Sequence, residues 1–335
     1  MPEFHFQPLS WDVRHEGGTE DWDGKIVIRA YGRMQNGKSI CVIVGNFCPD
    51  FYVAVPADVL HDKAKANSFA GAIKRHLEGS EDGENWKRRK YTKPIRGISL
   101  DEARIVAHEF TFRTKVPMMR IFMHNMNALR DARTLIRDRG IKWGGSKVPR
   151  KYDCYDSGIE PLLRMFHIYD LNPTKWLTVE GKVVGEEPKG EDEGHLVVET
   201  KCEDMRIMEN APAGIARFVR CSFDIETVPK DEKKFPSPYR PGDEVIQVGL
   251  SFRRYGEKES YAKYVICLGE SADLAGVELV CVESEKELLL EFSRIVREEN
   301  PDVITGYNIL GFDWEYLYVR AVHWGIEDEF LNMGK

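Results

Sequence analysis

Asp224 and Glu226 stand two residues apart in an alternating segment, Ser222-Phe-Asp-Ile-Glu-Thr227. On an extended strand, positions i and i+2 leave the same face, roughly 6–7 Å apart. About eighty residues later the chain reads Gly306-Tyr-Asn-Ile-Leu-Gly-Phe-Asp313. Asp313 opens a helical pattern, where the helix dipole favours a carboxylate. Three hard oxygen donors with open positions suit Mg²⁺ or Mn²⁺. The chemistry would be hydrolysis of a phosphodiester by two ions about 3.5–4 Å apart. The face bearing Asp224 and Glu226 is expected to lie buried beneath the helices that follow. Two buried carboxylates would repel and be driven to protonate without a compensating cation. Taken singly, a D-x-E pair is an ordinary solvated strand face, and an Asp at a helix start is an ordinary N-cap. Their joint occurrence is what points to a metal site.

The elements that must position these acids are legible around them. Val219, Cys221, Phe223 and Ile225 alternate with Ser222, Asp224 and Glu226, which reads as a strand. Residues 244–252 and 261–268 read as two more strands. Ser284-Glu-Lys-Glu287 is a capping box, opening a helix with Leu288, Leu289, Phe292, Ile295 and Val296 on one face. Asn300-Pro301 ends that helix, 302–305 reads as a short strand, and 312–324 as a helix stopped at Gly325. The order βββαβα predicts a mixed sheet covered by helices.

Upstream, residues 1 to about 60 alternate like an antiparallel sheet, with Asn36-Gly37 and Gly45-Asn46 as breaks. Residues 57–77 read as one or two helices. Met118-Met-Arg-Ile-Phe-Met123 is strand-like, and 125–139 is helical, with Met126, Leu129, Ala132 and Ile136 on one face and Gly140 as its C-terminal cap. Residues 161–169 could be helix or strand. Gly, Pro and acids dominate 181–195, which is expected to be an exposed loop inside a β-hairpin. A domain boundary is expected near 205–217.

Composition narrows the class. The 335 residues allow two or three domains, and 42% hydrophobic with 31% charged residues is ordinary for a globular protein. No run approaches the ~18 apolar residues of a membrane span, and the N-terminus lacks the pattern of a secretory signal. Seven scattered cysteines without a CxxC argue for reduced thiols rather than zinc or a disulfide framework. A net charge of −7 speaks against a protein that coats nucleic acid, though not against an enzyme with a basic channel.

Residues 217–323 closely resemble the 3′→5′ exonuclease domain of family B DNA polymerases, in the style of eukaryotic delta-type and large-DNA-virus enzymes. Ser222-Phe-Asp-Ile-Glu-Thr227 resembles exonuclease motif I, and Asp302-Val-Ile-Thr-Gly-Tyr-Asn-Ile-Leu-Gly-Phe-Asp313 resembles motif II. Phe235-Pro-Ser-Pro238 and Asp243-Glu-Val-Ile-Gln-Val-Gly249 resemble the family's linker and second strand. Phe51-Tyr-Val-Ala-Val-Pro56 and 117–123 resemble its N-terminal domain more loosely.

The resemblance implies an α+β N-terminal domain over 1–205. It is followed over 206–335 by a truncated ribonuclease-H-like α/β exonuclease domain with a mixed sheet. It implies that Asp224 and Glu226 hold the metal carrying the attacking water and that Asp313 holds the second of two Mg²⁺ or Mn²⁺ ions. Asn308 would contact the 3′-terminal nucleotide and Thr227 would lie near its sugar. Tyr307 and Phe312 would shape the strand path, with plain core the alternative for Phe312.

The parent function implied is template-directed DNA synthesis with 3′ proofreading. Its partners would be primer-template, a single-stranded 3′ end, the rest of the polymerase in cis or in trans, and a sliding clamp, with no membrane. The setting would be nucleus or cytoplasm, and a virus-encoded enzyme fits. Among the residues after Asp313 none forms the Tyr-x-x-x-Asp of motif III, and a palm motif, fingers and thumb are absent from these residues. The expectation is an N-terminal piece cut before motif III, inactive by itself. The alternatives are a split subunit completed in trans and a nucleic-acid-binding module without catalysis.

Lys87, Arg88, Arg89 and Lys90 form the clearest basic cluster, between Trp86 and Tyr91. Such a cluster could neutralise phosphates while the aromatics stack on unpaired bases. An exposed solvated loop and a nuclear-targeting signal are its other readings.

Overall fold

The computed structural model describes residues 1–17, 24–55, 59, 61–78, 91, 93–104, 115–187 and 195–333. These fall into two compact units. The first is formed by the described residues of Met1–Tyr31, Cys41–Gly185 and Val197–Glu209; the second by those of Gly32–Ile40, Glu186–Leu196 and Asn210–Lys335.

Mainly within the first unit, β1 (Glu3–Glu16), β2 (Lys25–Met34), β3 (Ser39–Val44), β8 (Leu177–Glu187) and β9 (His195–Ile207) close a barrel in the order β1-β2-β3-β9-β8. A separate sheet runs β5-β6-β4-β7, from β4 (Asp50–Val53), β5 (Ile95–Arg104), β6 (Lys115–Met123) and β7 (Cys154–Tyr155). The first sixty residues therefore do not make one sheet: β4 leaves the barrel and pairs with β6. Of the expected loop at 181–195, residues 181–187 and 195 are strand. Strand β8 runs to Glu187 and β9 starts at His195, because barrel neighbours hold polar backbone that has no strand propensity of its own.

Helix α1 is Lys63–Glu78. Helix α2 (Met126–Arg133) is N-capped by Asn125 and loosens into a π-helical turn over Thr134–Arg139 before Gly140, at φ +86°, ends it. Met126, Leu129, Ala132 and Ile136 are all buried. Pro161–Ile168 is helical (α3), with Pro161 in the first turn, where its missing N–H costs nothing.

The second unit holds a five-stranded mixed sheet, β13-β12-β11-β10-β14. Its strands are β10 (Val219–Val228), β11 (Glu244–Arg254), β12 (Ala262–Leu268), β13 (Glu278–Val282) and β14 (Val303–Thr305). Strand β10 is antiparallel to β11 and parallel to β14. Strand β13 is an addition to the expected order, and it pairs in parallel with β12.

Helices α4 (Glu285–Glu299), α5 (Asp313–Trp324) and α6 (Glu327–Leu331) follow. Ser284 caps α4 through the Glu287 N–H, while Glu287 returns its carboxylate to the Glu283 N–H, one residue outside the expected box. Asn300 and Gly325, both left-handed, end α4 and α5. Val219, Cys221, Phe223 and Ile225 form one core with Leu288, Leu289, Phe292, Tyr316 and Leu317. The Phe223 ring meets Phe292 at 5.3 Å and Trp314 at 5.1 Å. Burying rings of this size stabilises by about 2–3 kcal/mol each.

Candidate functional site

Strand β10 carries the first two acids. Val219, Cys221, Phe223 and Ile225 are buried in the core with α4 and α5, whereas Asp224 and Glu226 are exposed. The expectation that the acid face would be buried is thus overturned. The apolar stripes of the helices seek the apolar face of the strand, which leaves the polar face open. Next to the acids, register against β11 shifts between Glu226 and Thr227, so that Glu226 pairs with Gln247 and Thr227 with Val245. Bulges of this kind re-aim side chains beside functional sites.

The third acid enters from the sheet edge. Strand β14 pairs with β10 only from Arg220 to Ser222. Beyond that point, residues 306–312 run alongside β10 as a loop. A Cβ on Gly306 would lie 2.5 Å from the Phe223 carbonyl oxygen, so only glycine permits this approach. Asn308 takes φ +52°, and its carbonyl accepts from the N–H groups of Gly311 and Phe312, curling the chain into α5. Asp313 begins α5 and is buried. Its Oδ1 accepts from the Ile225 N–H at 3.2 Å, a strand amide left unused where β14 stops. Burial pushes the Asp313 carboxyl above its ordinary value, the charge of Asp224 adds to that, and the backbone hydrogen bonds oppose it.

The remaining candidates surround this point. Tyr307 is 92% exposed and Leu310, which sequence reasoning passed over, 86%. Phe312 is half-buried, packed on the core with its ring 5.4 Å from Tyr316 and 5.9 Å from Phe235. Thr227 lies on the helix side of β10. Its hydroxyl is beside the buried Tyr316 phenol, but off hydrogen-bonding geometry.

Phe235 and Tyr239, both largely exposed, come from the loop after β10. Tyr239 donates to Glu315 Oε1 at 2.8 Å. Asp243 folds that loop, accepting from the N–H groups of Lys230 and Ser237, each at 2.9 Å. The sequence showed the acid at 243 without revealing that it is held by two backbone amides as well as by Arg240 at 3.1 Å. Helix α5 is held in turn by a buried pair. Arg320 Nε donates to Glu285 Oε1 at 2.8 Å, and Glu285 also accepts from the Val245 N–H and from Trp324 Nε1.

The fold therefore brings Asp313 to Asp224, with Glu226 two residues on along the same strand face. Among the described residues, no three His, Cys, Asp or Glu side chains converge as a ready-made metal cluster. The donor chemistry nonetheless fits a hard divalent cation: carboxylate oxygens only, and a buried Asp313 repelled by Asp224 with no side-chain cation among its causes of shift. Lys87, Arg88, Arg89 and Lys90 lie outside the described residues.

None of the seven cysteines is in a disulfide, and burial pushes the thiols of Cys154, Cys202 and Cys221 up to about 12. No helix among the described residues is long and apolar enough to cross a membrane.

The family described as "DNA polymerase family B, exonuclease domain" matches residues 152–334, more than half of the chain. The chain belongs to the family B DNA polymerases. The match starts well before the 206–335 expected for the exonuclease domain, and takes in barrel strands β8 and β9. Among family B relatives, a DNA polymerase of Acanthamoeba polyphaga mimivirus is 27% identical over 323 residues, covering 96% of this chain and 18% of its own length. The DNA polymerase delta catalytic subunit of Arabidopsis thaliana is 28% identical, covering 92% and 27%. The solved family B DNA polymerase of Pyrobaculum calidifontis shares the fold, with a TM-score of 0.58 at 20% identity over 96% of this chain and 33% of that one. The chain thus spans less than a third of the length of these curated relatives.

Proposed function

We propose that the second unit is a ribonuclease-H-like 3′→5′ exonuclease domain that removes mispaired nucleotides from a DNA 3′ end, within a polymerase that copies a DNA template. The observation that carries this reading is the buried Asp313, set on the Ile225 N–H and repelled by Asp224, beside a second exposed carboxylate, Glu226. Asp224 and Glu226 would hold one Mg²⁺ or Mn²⁺ ion, and Asp313 would hold a second. Such ions, when bound, supply an activated water and neutralise charge on the phosphodiester.

The chain's own groups do the rest. The open face of β10 admits a strand end, which a helix-covered face would exclude. Exposed Tyr307 and Phe235 offer rings on which unpaired bases can stack, a contact worth about 1–3 kcal/mol per base. Asn308, at the turn into α5, would face the terminal nucleotide, with Thr227 near its sugar. Basic residues 87–90 would contact template phosphates.

The test measures Mn²⁺-dependent release of 3′ nucleotides from a single-stranded oligonucleotide. It uses the 335-residue chain alone and with the remainder of the polymerase supplied in trans. Release is expected to fall by about 10²–10³ or more in Asp224→Ala, the scale on which losing one stabilising group in a water-excluded site acts. Release that survives Asp224→Ala, or no release even with the remainder present, would sink the reading.

A further inference from the structure

We propose that Arg33 is a positioning residue for the Asp224–Asp313 site, acting through Asp302 to hold β14 in register with β10. The proposal rests on the metal-site reading above for its functional consequence.

Strand β14 is the sheet's edge and has three paired residues: Val303, Ile304 and Thr305, opposite Arg220, Cys221 and Ser222. So short an edge strand has few ladder bonds to define its register. A slip of one residue would move the loop that follows by about 3.3 Å and reverse its faces. That would take Asp313 away from the Ile225 N–H.

The register is set one residue earlier. The Asp302 N–H donates to the Val219 carbonyl at 2.8 Å, and Asp302 Oδ2 accepts from the Val219 N–H at 2.7 Å. This pair of hydrogen bonds between 302 and 219 fixes the start of β14. The accepting carboxylate is 4% exposed, and Arg33 pairs with it in the interior: Nε donates to Asp302 Oδ2 at 2.8 Å. The guanidinium is itself 2% exposed and held by the Gly37 carbonyl at 2.7 Å and, at 3.4 Å, by the carbonyl of Asn300, the left-handed cap of α4. Arg33 lies near the end of β2, within Gly32–Ile40, a segment that comprises the end of β2, the turn after it and the start of β3 and is part of the second unit. Removing one partner of a buried pair leaves a charge that must protonate or turn toward water. A carboxylate that turns toward water releases the Val219 N–H and frees β14 to shift.

The test compares Arg33→Met, Arg33→Lys and the double variant Arg33→Met/Asp302→Asn in the full chain, at a temperature well below unfolding. Amide hydrogen exchange at Ile225, whose N–H rests on Asp313, reads the register without metal. Arg33→Met is expected to speed it ten-fold or more. The double variant has no buried charge to strand, and its introduced side-chain amide still offers an oxygen to the Val219 N–H. Protection should therefore return to within about three-fold of wild type. The double variant also keeps the test decisive should Arg33→Met not fold. Mn²⁺ binding, titrated by electron paramagnetic resonance with the metal alone, should weaken at least ten-fold in Arg33→Met and recover in the double variant, with Arg33→Lys between. A lower melting temperature with unchanged Ile225 protection would make Arg33 merely structural and overturn the proposal, as would a double variant as unprotected as Arg33→Met. Wild-type Mn²⁺ binding that is indifferent to Asp224→Ala would instead remove the metal-site reading. The exchange data would still decide the register lock.

Discussion

Asp50 in the first unit and Asp313 in the second are both buried aspartates, and they are treated in opposite ways. Asp50 accepts from Arg120 Nε at 2.7 Å and from Arg164 Nε at 3.1 Å. Both guanidiniums lie over the Tyr52 ring. Burial alone would raise the Asp50 carboxyl, but hydrogen bonds from Arg164 and Arg120 outweigh it and hold the group below its usual value. Asp313 has a backbone amide where Asp50 has two arginines, and a second carboxylate nearby. Burial and Asp224 together push it the other way. The contrast teaches how to tell a finished polar cluster from an unfinished one. Asp50 is sated, so its role is to hold β4, β6 and α3 together. Asp313 is a buried carboxyl beside a second carboxylate, a repulsion that a bound cation would relieve.

The comparison can be broken most directly at Asp50. Asp50→Ala removes the carboxylate shared by two guanidiniums and should cost about 3–5 kcal/mol in urea unfolding, less whatever Asp156 still supplies to Arg164. A loss under about 1 kcal/mol would mean the cluster is not the anchor described. Arg320→Met asks the same of the second unit by stranding buried Glu285. It should cost nearly as much, less whatever Trp324 and the Val245 amide still supply.

Acid titration sharpens the contrast. Asp50 sits lower in the folded than in the unfolded chain, so its contribution is present above the unfolded value of 3.8 and is lost as pH falls through the folded one. Unfolding midpoints measured from pH 6 down to pH 2 should therefore fall more steeply in wild type than in Asp50→Asn. Parallel curves would refute the assignment. The smallest stability effect is expected at the site itself. Asp313→Asn keeps an acceptor for Ile225 and removes the repulsion from Asp224, so stability should stay within about 1 kcal/mol of wild type or rise. Mn²⁺ binding should nonetheless be lost. A large destabilisation would place Asp313 with Asp50 as a structural residue.

Much of the second unit was legible before any coordinates. The alternation of 219–226, the helix face from Leu288 to Val296, and the stops at Asn300 and Gly325 are local signals, set by strand and helix periods and by backbone conformation. Strand β13 was not, because Glu-Leu-Val-Cys-Val is too short to declare itself without a neighbour. The first unit was harder to read. Its barrel joins Phe6 to Leu177, and no local pattern announces a partner so far along the chain.

By itself the sequence determined the chemistry on offer: three carboxylates, their spacing, and a helix opening on the last of them. It also determined which face of β10 is apolar. The tertiary structure decided that the acid face stays open, since helices bury against like surface and not against charge. It alone brought Asp313 to an amide 88 residues away in sequence and Arg33 to an aspartate 269 residues away. Those pairings follow from the packing of whole elements, and periodicity carries no record of them.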